Sequence, residues 1–168
     1  LFAMQIAEKT YADFKLTATN RGGHSSAPRP DNAIYALSNA LNALEAHRFP
    51  AMINDATRAG FALLAEKDGG QYGELIKRFL ADPNDKETAD LVEANDPGST
   101  RTRCVATMLS GGHAPNALPQ KAEANVNCRI LPDQSIDDVQ AELQRVVADE
   151  GINIAISEMR GLSSPVPP

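Results

Sequence analysis

The stretch Gln120–Leu131, QKAEANVNCRIL, decides the fold. Ala122, Ala124, Val126, Cys128 and Ile130 fall on one side of a period of two, and Glu123, Asn125, Asn127 and Arg129 on the other. Successive side chains of a strand point to opposite faces, so this is a strand with one buried and one polar face. The same alternation runs through residues 11–19, YADFKLTAT, with Phe14, Leu16 and Ala18 inward and Lys15, Thr17 and Thr19 outward. Residues 101–110, RTRCVATMLS, and 152–157, INIAIS, supply two more strands. If 101–110 and 120–131 form a hairpin across the loop 111–119, Cys104 and Cys128 come close to opposite each other. A cross-strand disulfide there would be strained, and two small core thiols are expected.

Between the strands lie two amphipathic helices. The first is expected from an Asp31 cap to about His47, with Ile34, Leu37, Leu41 and Leu44 at helical spacing. Beside them runs a second stripe, Ala33, Ala36, Ala40 and Ala43, which is either plain helix propensity or a packing face for a second subunit. The other helix starts at a capping-box variant, Ser135-Ile136-Asp137-Asp138, and buries Ile136, Val139, Leu143 and Val146. Residues 51–98 change character: three short helical patterns are separated by Asp68-Gly69-Gly70 and Asp82-Pro83-Asn84, and Asn95-Asp96-Pro97-Gly98 closes the segment. With that insertion set aside, the order is strand–helix–strand–strand–helix–strand. The expected fold class is therefore α+β, a ferredoxin-like sandwich (βαββαβ) with a four-stranded antiparallel sheet, two helices on one face and a helical insertion.

Composition narrows the functions open to such a domain. The 168 residues carry a net charge of −6, 42% hydrophobic residues and 5% aromatics, and Ala occupies 26 positions. The core must be built from small and aliphatic side chains. An acidic balance opposes nucleic-acid binding, which needs a basic face to displace phosphate counterions. No apolar run reaches the 18 or so residues of a membrane span, so neither nucleic acid nor membrane is expected as a partner. The chain starts at Leu1 and ends in Ser163-Ser164-Pro165-Val166-Pro167-Pro168, and both ends read as cuts from a larger protein.

Two glycine loops carry histidines: Arg21-Gly22-Gly23-His24-Ser25-Ser26-Ala27-Pro28, and Gly111-Gly112-His113-Ala114-Pro115-Asn116-Ala117-Leu118-Pro119. Glycines before a His let imidazole and backbone N–H groups point outward together, which suits anion or oxyanion recognition. Arg129, on the polar face of a central strand, can hold a carboxylate bidentately, pair across strands with Glu123, or stand as a solvated surface Arg. Asn116 is a turn residue or a directed amide, and His47 a charge favourable to a helix C-terminus. No CxxC, HxxxH or HExxH motif is present, so no intrinsic metal site is expected. Ser25 and Ser26 neighbour His24, but the G-x-S-x-G of a nucleophile elbow is absent.

Together, His24 in GGHSSAP, the GG–Asn116–Ala–Leu–Pro119 loop and Arg129 in NVNCRILP closely resemble the lid, or dimerisation, domain of the M20 family of zinc-dependent metallopeptidases. The approach Glu8-Lys9-Thr10-Tyr11 is similar as well, and the helical insertion resembles the carboxypeptidase S and N-acyl amino acid amidohydrolase branch. The resemblance implies residues 1–10 as a linker from a catalytic domain, 11–160 as the lid with its insertion at about 51–98, and 161–168 as a linker back. It implies that two zinc or similar divalent ions sit in that catalytic domain, that the parent hydrolyses a peptide or N-acyl amino acid amide bond, and that this piece alone is inactive. His24 would act in trans, across a homodimer, to stabilise an oxyanion. Arg129 would hold the free carboxylate of the substrate, and Asn116 with the Gly111 and Gly112 backbone would help orient it. The alternative is a stand-alone ferredoxin-like ligand-binding or regulatory module.

Overall fold

A computed structural model describes residues 9–160. The expected linkers at 1–10 and 161–168 therefore lie outside the described residues, save Lys9 and Thr10. Two compact units are present, one formed by Lys9–His47 with Cys104 onward, the other by Arg48–Arg103.

The first unit holds the sheet. Its elements are β1 (Thr10–Thr19), β2 (Gly23–His24), α1 (Ala33–Ala46), β3 (Arg103–Gly111), β4 (Ala117–Leu118), β5 (Lys121–Ile130), α5 (Ile136–Val147) and β6 (Ile152–Arg160). Strands β3, β5, β1 and β6 lie in that order in one sheet. Both pairings of β1, with β5 and with the edge strand β6, are antiparallel. This is the expected four-stranded sheet, with α1 and α5 packed together on its apolar face.

The alternation read in QKAEANVNCRIL sets that face. Phe14 stands opposite Val126 and Ile156, and Leu16 opposite Ala124 and Ile154. Phe14, Leu16, Val126, Ile130, Val139 and Leu143 are all fully buried. The opposite face is polar but occupied: Lys15 and Lys121 both reach Glu123, at 2.7 and 2.8 Å. Together they hold the Glu123 carboxyl below its usual range, Lys121 contributing most. Glu123 is thus bound by lysines, and Arg129 has no share in it.

Three expectations need correction. Asp31 does not cap α1; the Asn32 side chain accepts the N–H groups of Ile34 and Tyr35, at 2.8 and 3.4 Å. An Asn one residue on satisfies the same orphan donors and leaves Asp31 to other partners. Nor does Ile34 face the core: Ala33 and Ala40 of the alanine stripe are buried together with Leu37, while Ile34 and Tyr35 are exposed. Small Cβ groups let the helix sit close on the sheet, which turns the larger Ile34 outward. Finally, Cys104 and Cys128 form a disulfide, with Cα atoms 4.1 Å apart. Cys128 lies on the buried face and Cys104 on the neighbouring edge strand, so cross-strand juxtaposition wins over two separate thiols.

The second unit bears out the three helical patterns as α2 (Asp55–Asp68), α3 (Gln71–Ala81) and α4 (Lys86–Asn95). Gly69, at φ 58°, ends α2 in the left-handed region. Phe61, Ala65, Ile76, Phe79, Ala89 and Val92 form its own core, with Phe61 edge-on to Phe79 at 5.8 Å between centroids. Buried Arg101 pairs with Asp90, whose carboxyl is held below its ordinary value of 3.8 by Lys86 first and then by Arg101.

Candidate functional site

The two histidine loops, separate in sequence, meet in a short two-stranded arm. β2 pairs antiparallel with β4, setting Gly23 opposite Leu118 and His24 opposite Ala117. The Ser25 N–H donates to the Asn116 carbonyl at 2.9 Å, so His24 and Asn116 belong to one cluster. Both side chains are exposed.

Glycine is required where this arm leaves the sheet. Gly22 has φ +76°, and a Cβ there would lie 2.6 Å from Cγ of Gln120. Gly111 closes β3 against the first turn of α1, where a Cβ would meet Ala122 and Ile34 at 3.2 and 3.3 Å. Gly112 follows at φ +79° and turns the chain into the Asn116 loop. The structure therefore brings Gly111, Gly112, Asn116 and His24 to one end of the sheet. His113 is exposed in the same loop.

A polar clasp closes the base of the His24 loop. Asn20 accepts from the Gly22 N–H at 3.0 Å and donates to Asp31 at 2.9 Å, while Arg29 grips Asp31 through Nε at 2.8 Å and through a second guanidinium nitrogen. These contacts, Arg29 first and Asn20 next, hold the Asp31 carboxyl below its ordinary 3.8. Because the folded value is depressed, the contribution of the clasp is complete above 3.8 and fades as pH falls through the lowered value. Sequence reading missed this clasp; its only local signal was Asn20 just before the Arg21-Gly22-Gly23 turn.

Arg129 lies elsewhere. It pairs in register with Tyr11, whereas Lys121, at the histidine end of the same strand, pairs with Thr19. Eight residues of extended chain separate the two levels, roughly 26 Å at about 3.3 Å per residue. The guanidinium sits 4.8 Å from the Tyr11 ring centroid, a cation–π contact that fixes its plane. Tyr11 is anchored in turn: its hydroxyl donates to Asp13 at 2.7 Å, and Asp13 also accepts from Asn127 and Asn125 at 2.8 and 3.1 Å. Among the described residues no carboxylate forms an ion pair with Arg129, which is exposed and oriented. Tyr11 and Asp13 are its supports, and sequence reading assigned them no role at the site.

His47 closes α1 as its C-cap, with Nε2 3.0 Å from Oε1 of Glu142 on α5. It therefore ties the two helices together in addition to facing the helix C-terminus. Among the described residues no three His, Cys, Asp or Glu side chains converge on a position that could hold a metal ion. No described helix is long and apolar enough to cross a membrane.

Comparison with known proteins identifies the family of the chain. The family model described as "Peptidase dimerisation domain", of the M20 peptidases, matches residues 6–155. The chain is 30% identical over 169 residues to "Probable carboxypeptidase S-like 2" of Dictyostelium discoideum, covering 96% of this chain and 31% of that protein. It is 28% identical over 157 residues to "N-fatty-acyl-amino acid synthase/hydrolase PM20D1" of Mus musculus, covering 91% of this chain and 31% of the relative. The chain thus spans about a third of the length of these relatives. In fold it resembles the M20 family metallo-carboxypeptidase Sso-CP2 of Sulfolobus solfataricus, with a TM-score of 0.55 and 21% identity over 90% of this chain and 43% of that one. With a family model covering nearly its whole length and a ferredoxin-like sheet behind the matched motifs, the chain belongs to the peptidase dimerisation domain family of the M20 metallopeptidases.

Proposed function

We propose that this chain is the dimerisation and substrate-capping domain of a longer M20-type peptidase or amidohydrolase, acting on a peptide or N-acyl amino acid with a free carboxylate. The observation that carries the reading is the separation of its anion-recognising groups: His24 and Asn116 at one end of the sheet, Arg129 at the other. A span of roughly 26 Å is far too long for one protomer to apply both ends to one amide bond and the carboxylate beside it. A second copy resolves this. Each substrate site then takes Arg129 from its own protomer and His24 with Asn116 from the partner protomer.

In that arrangement the oriented Arg129 guanidinium binds the terminal carboxylate through two parallel hydrogen bonds. His24 presents an N–H to the oxygen of the scissile carbonyl as negative charge develops there. The Asn116 amide and the Gly111-Gly112 backbone help orient the bound group. Zinc or similar divalent ions belong, on this reading, to the catalytic domain outside the chain, and the amide bond is broken there. The names of the relatives, carboxypeptidase S-like and N-fatty-acyl-amino acid synthase/hydrolase, agree with a carboxylate-bearing substrate.

The edge strand β3 is the surface through which the copies join. It ends the sheet, so its outer N–H and C=O groups lack a strand partner within the sheet order. Val105, Met108 and Leu109 on it are 59%, 70% and 69% exposed, and Ile34 and Tyr35 of α1 add further exposed apolar surface. An unpaired apolar edge of this kind invites antiparallel pairing with a second copy. Charging it tests the assignment: the double substitution Met108→Lys/Leu109→Lys is expected to weaken dimerisation at least tenfold by light scattering or sedimentation. A dimer of unchanged affinity would move the interface away from β3.

A further inference from the structure

We infer that Ser26 is a positioning residue that fixes the tautomer of His24, so that Nε2 carries the outward-facing proton; this rests on the oxyanion role proposed for His24. The Ser26 backbone N–H donates to Nδ1 of His24 at 3.2 Å, and Ser26 Oγ lies 2.8 Å from the same nitrogen. A backbone N–H can only donate, so Nδ1 must present its lone pair. In the neutral ring the single proton then resides on Nε2. The opposite tautomer would set Nδ1–H against Ser26 N–H and lose that bond. It would also leave Nε2 as an acceptor facing the developing oxyanion, which repels where stabilisation is needed.

Several local contacts keep Ser26 in place for this task. The Ala27 N–H donates to the His24 carbonyl at 3.0 Å and closes the turn that carries Ser26 back beneath the imidazole. The neighbouring Ser25 N–H is committed to Asn116, so the two serines of GGHSS divide the work: one joins the loops, the other orients the ring.

The test reads the tautomer directly. In this chain, long-range imidazole 15N spectra at a pH where His24 is neutral are expected to show an unprotonated Nδ1 and a protonated Nε2. Ser26→Ala keeps the backbone donor and removes the Oγ that can also donate to Nδ1, so the minor Nδ1–H form is expected to grow by up to about fivefold, the value of one ordinary hydrogen bond. Ser26→Thr retains both donors and should restore the wild-type spectrum. A protonated Nδ1 in the wild type, or identical spectra for wild type and Ser26→Ala, would overturn the inference. In the full-length enzyme, Ser26→Ala should lower kcat only by the share of rings that leave the Nε2–H form, less than about threefold, with KM unchanged, and Ser26→Thr should recover it. If the spectra behave as expected but His24→Ala leaves turnover intact, the oxyanion reading fails while the tautomer assignment stands.

Discussion

Replacing His24 by Ala in the full-length enzyme is expected to lower kcat by about 10²–10³-fold while changing KM little. The expectation follows from what the arm presents. His24 is exposed at the tip of a two-residue pairing between β2 and β4, with its backbone braced by Asn116 and the Asn20–Asp31 clasp at the base of the loop. Such bracing is wasted on a side chain that only binds ground-state substrate. It matters for a donor that must meet charge appearing on one oxygen, because a preorganised dipole does not reorganise as the reaction proceeds. The loss should fall on turnover, since the carboxylate contact proposed for Arg129, roughly 26 Å from that end of the sheet, is left intact. Initial-rate kinetics over a wide substrate range check this, and an unchanged kcat would refute the role.

The second large effect concerns stability. Phe14→Ala is expected to destabilise the sheet unit by about 3–5 kcal/mol, a large part of the roughly 5–15 kcal/mol available to an ordinary domain. Phe14 is fully buried at the middle of β1. Val126 and Ile156 stand opposite it, and the flanking pairs on the inner face are rich in small residues: Ala12 with Cys128, Leu16 with Ala124, and Ala18 with Ala122. A ring lost from among such small side chains leaves a cavity that they fill only in part. Thermal unfolding followed by circular dichroism should show the transition lowered by roughly 10 °C or more. A shift of only a degree or two would mean that the site repacks and that Phe14 is not the centre of this core.

Much of this architecture was legible in the alternation of four strands and the periodicity of two helices, because hydrophobic pattern and register carry the same information. The Ser135 capping box is also as read, with the Asp138 N–H donating to Ser135 Oγ at 3.0 Å. The errors share a cause: they depend on which of two near-equivalent residues meets a partner that local periodicity does not name. Asp31 and Asn32 are both good caps, and only the presence of Arg29 and Asn20 decides between them. Ala33 and Ile34 are both apolar, and only close approach to the sheet decides which turns inward. Cys104 and Cys128 join because strand pairing places them side by side, which composition cannot weigh. The candidate site shows the same limit. His24, Asn116 and Arg129 can be singled out by motif, yet their placement at opposite ends of the sheet depends on register. The supports Tyr11, Asp13, Asn20 and Ser26 become visible only through their hydrogen bonds.

That separation makes the central claim testable by mixing two inactive enzymes. Full-length His24→Ala and Arg129→Ala variants should each be nearly inactive as homodimers. Once subunits exchange, a heterodimer contains one site that takes its intact Arg129 from the His24→Ala protomer and its intact His24 from the Arg129→Ala protomer. The account predicts that activity reappears on mixing, approaching about a quarter of wild type at equal proportions, because half of the dimers are mixed and each has one complete site. If activity stays at the level of the separate variants although subunit exchange is demonstrated, His24 and Arg129 do not meet across the dimer, and the composite-site account is wrong.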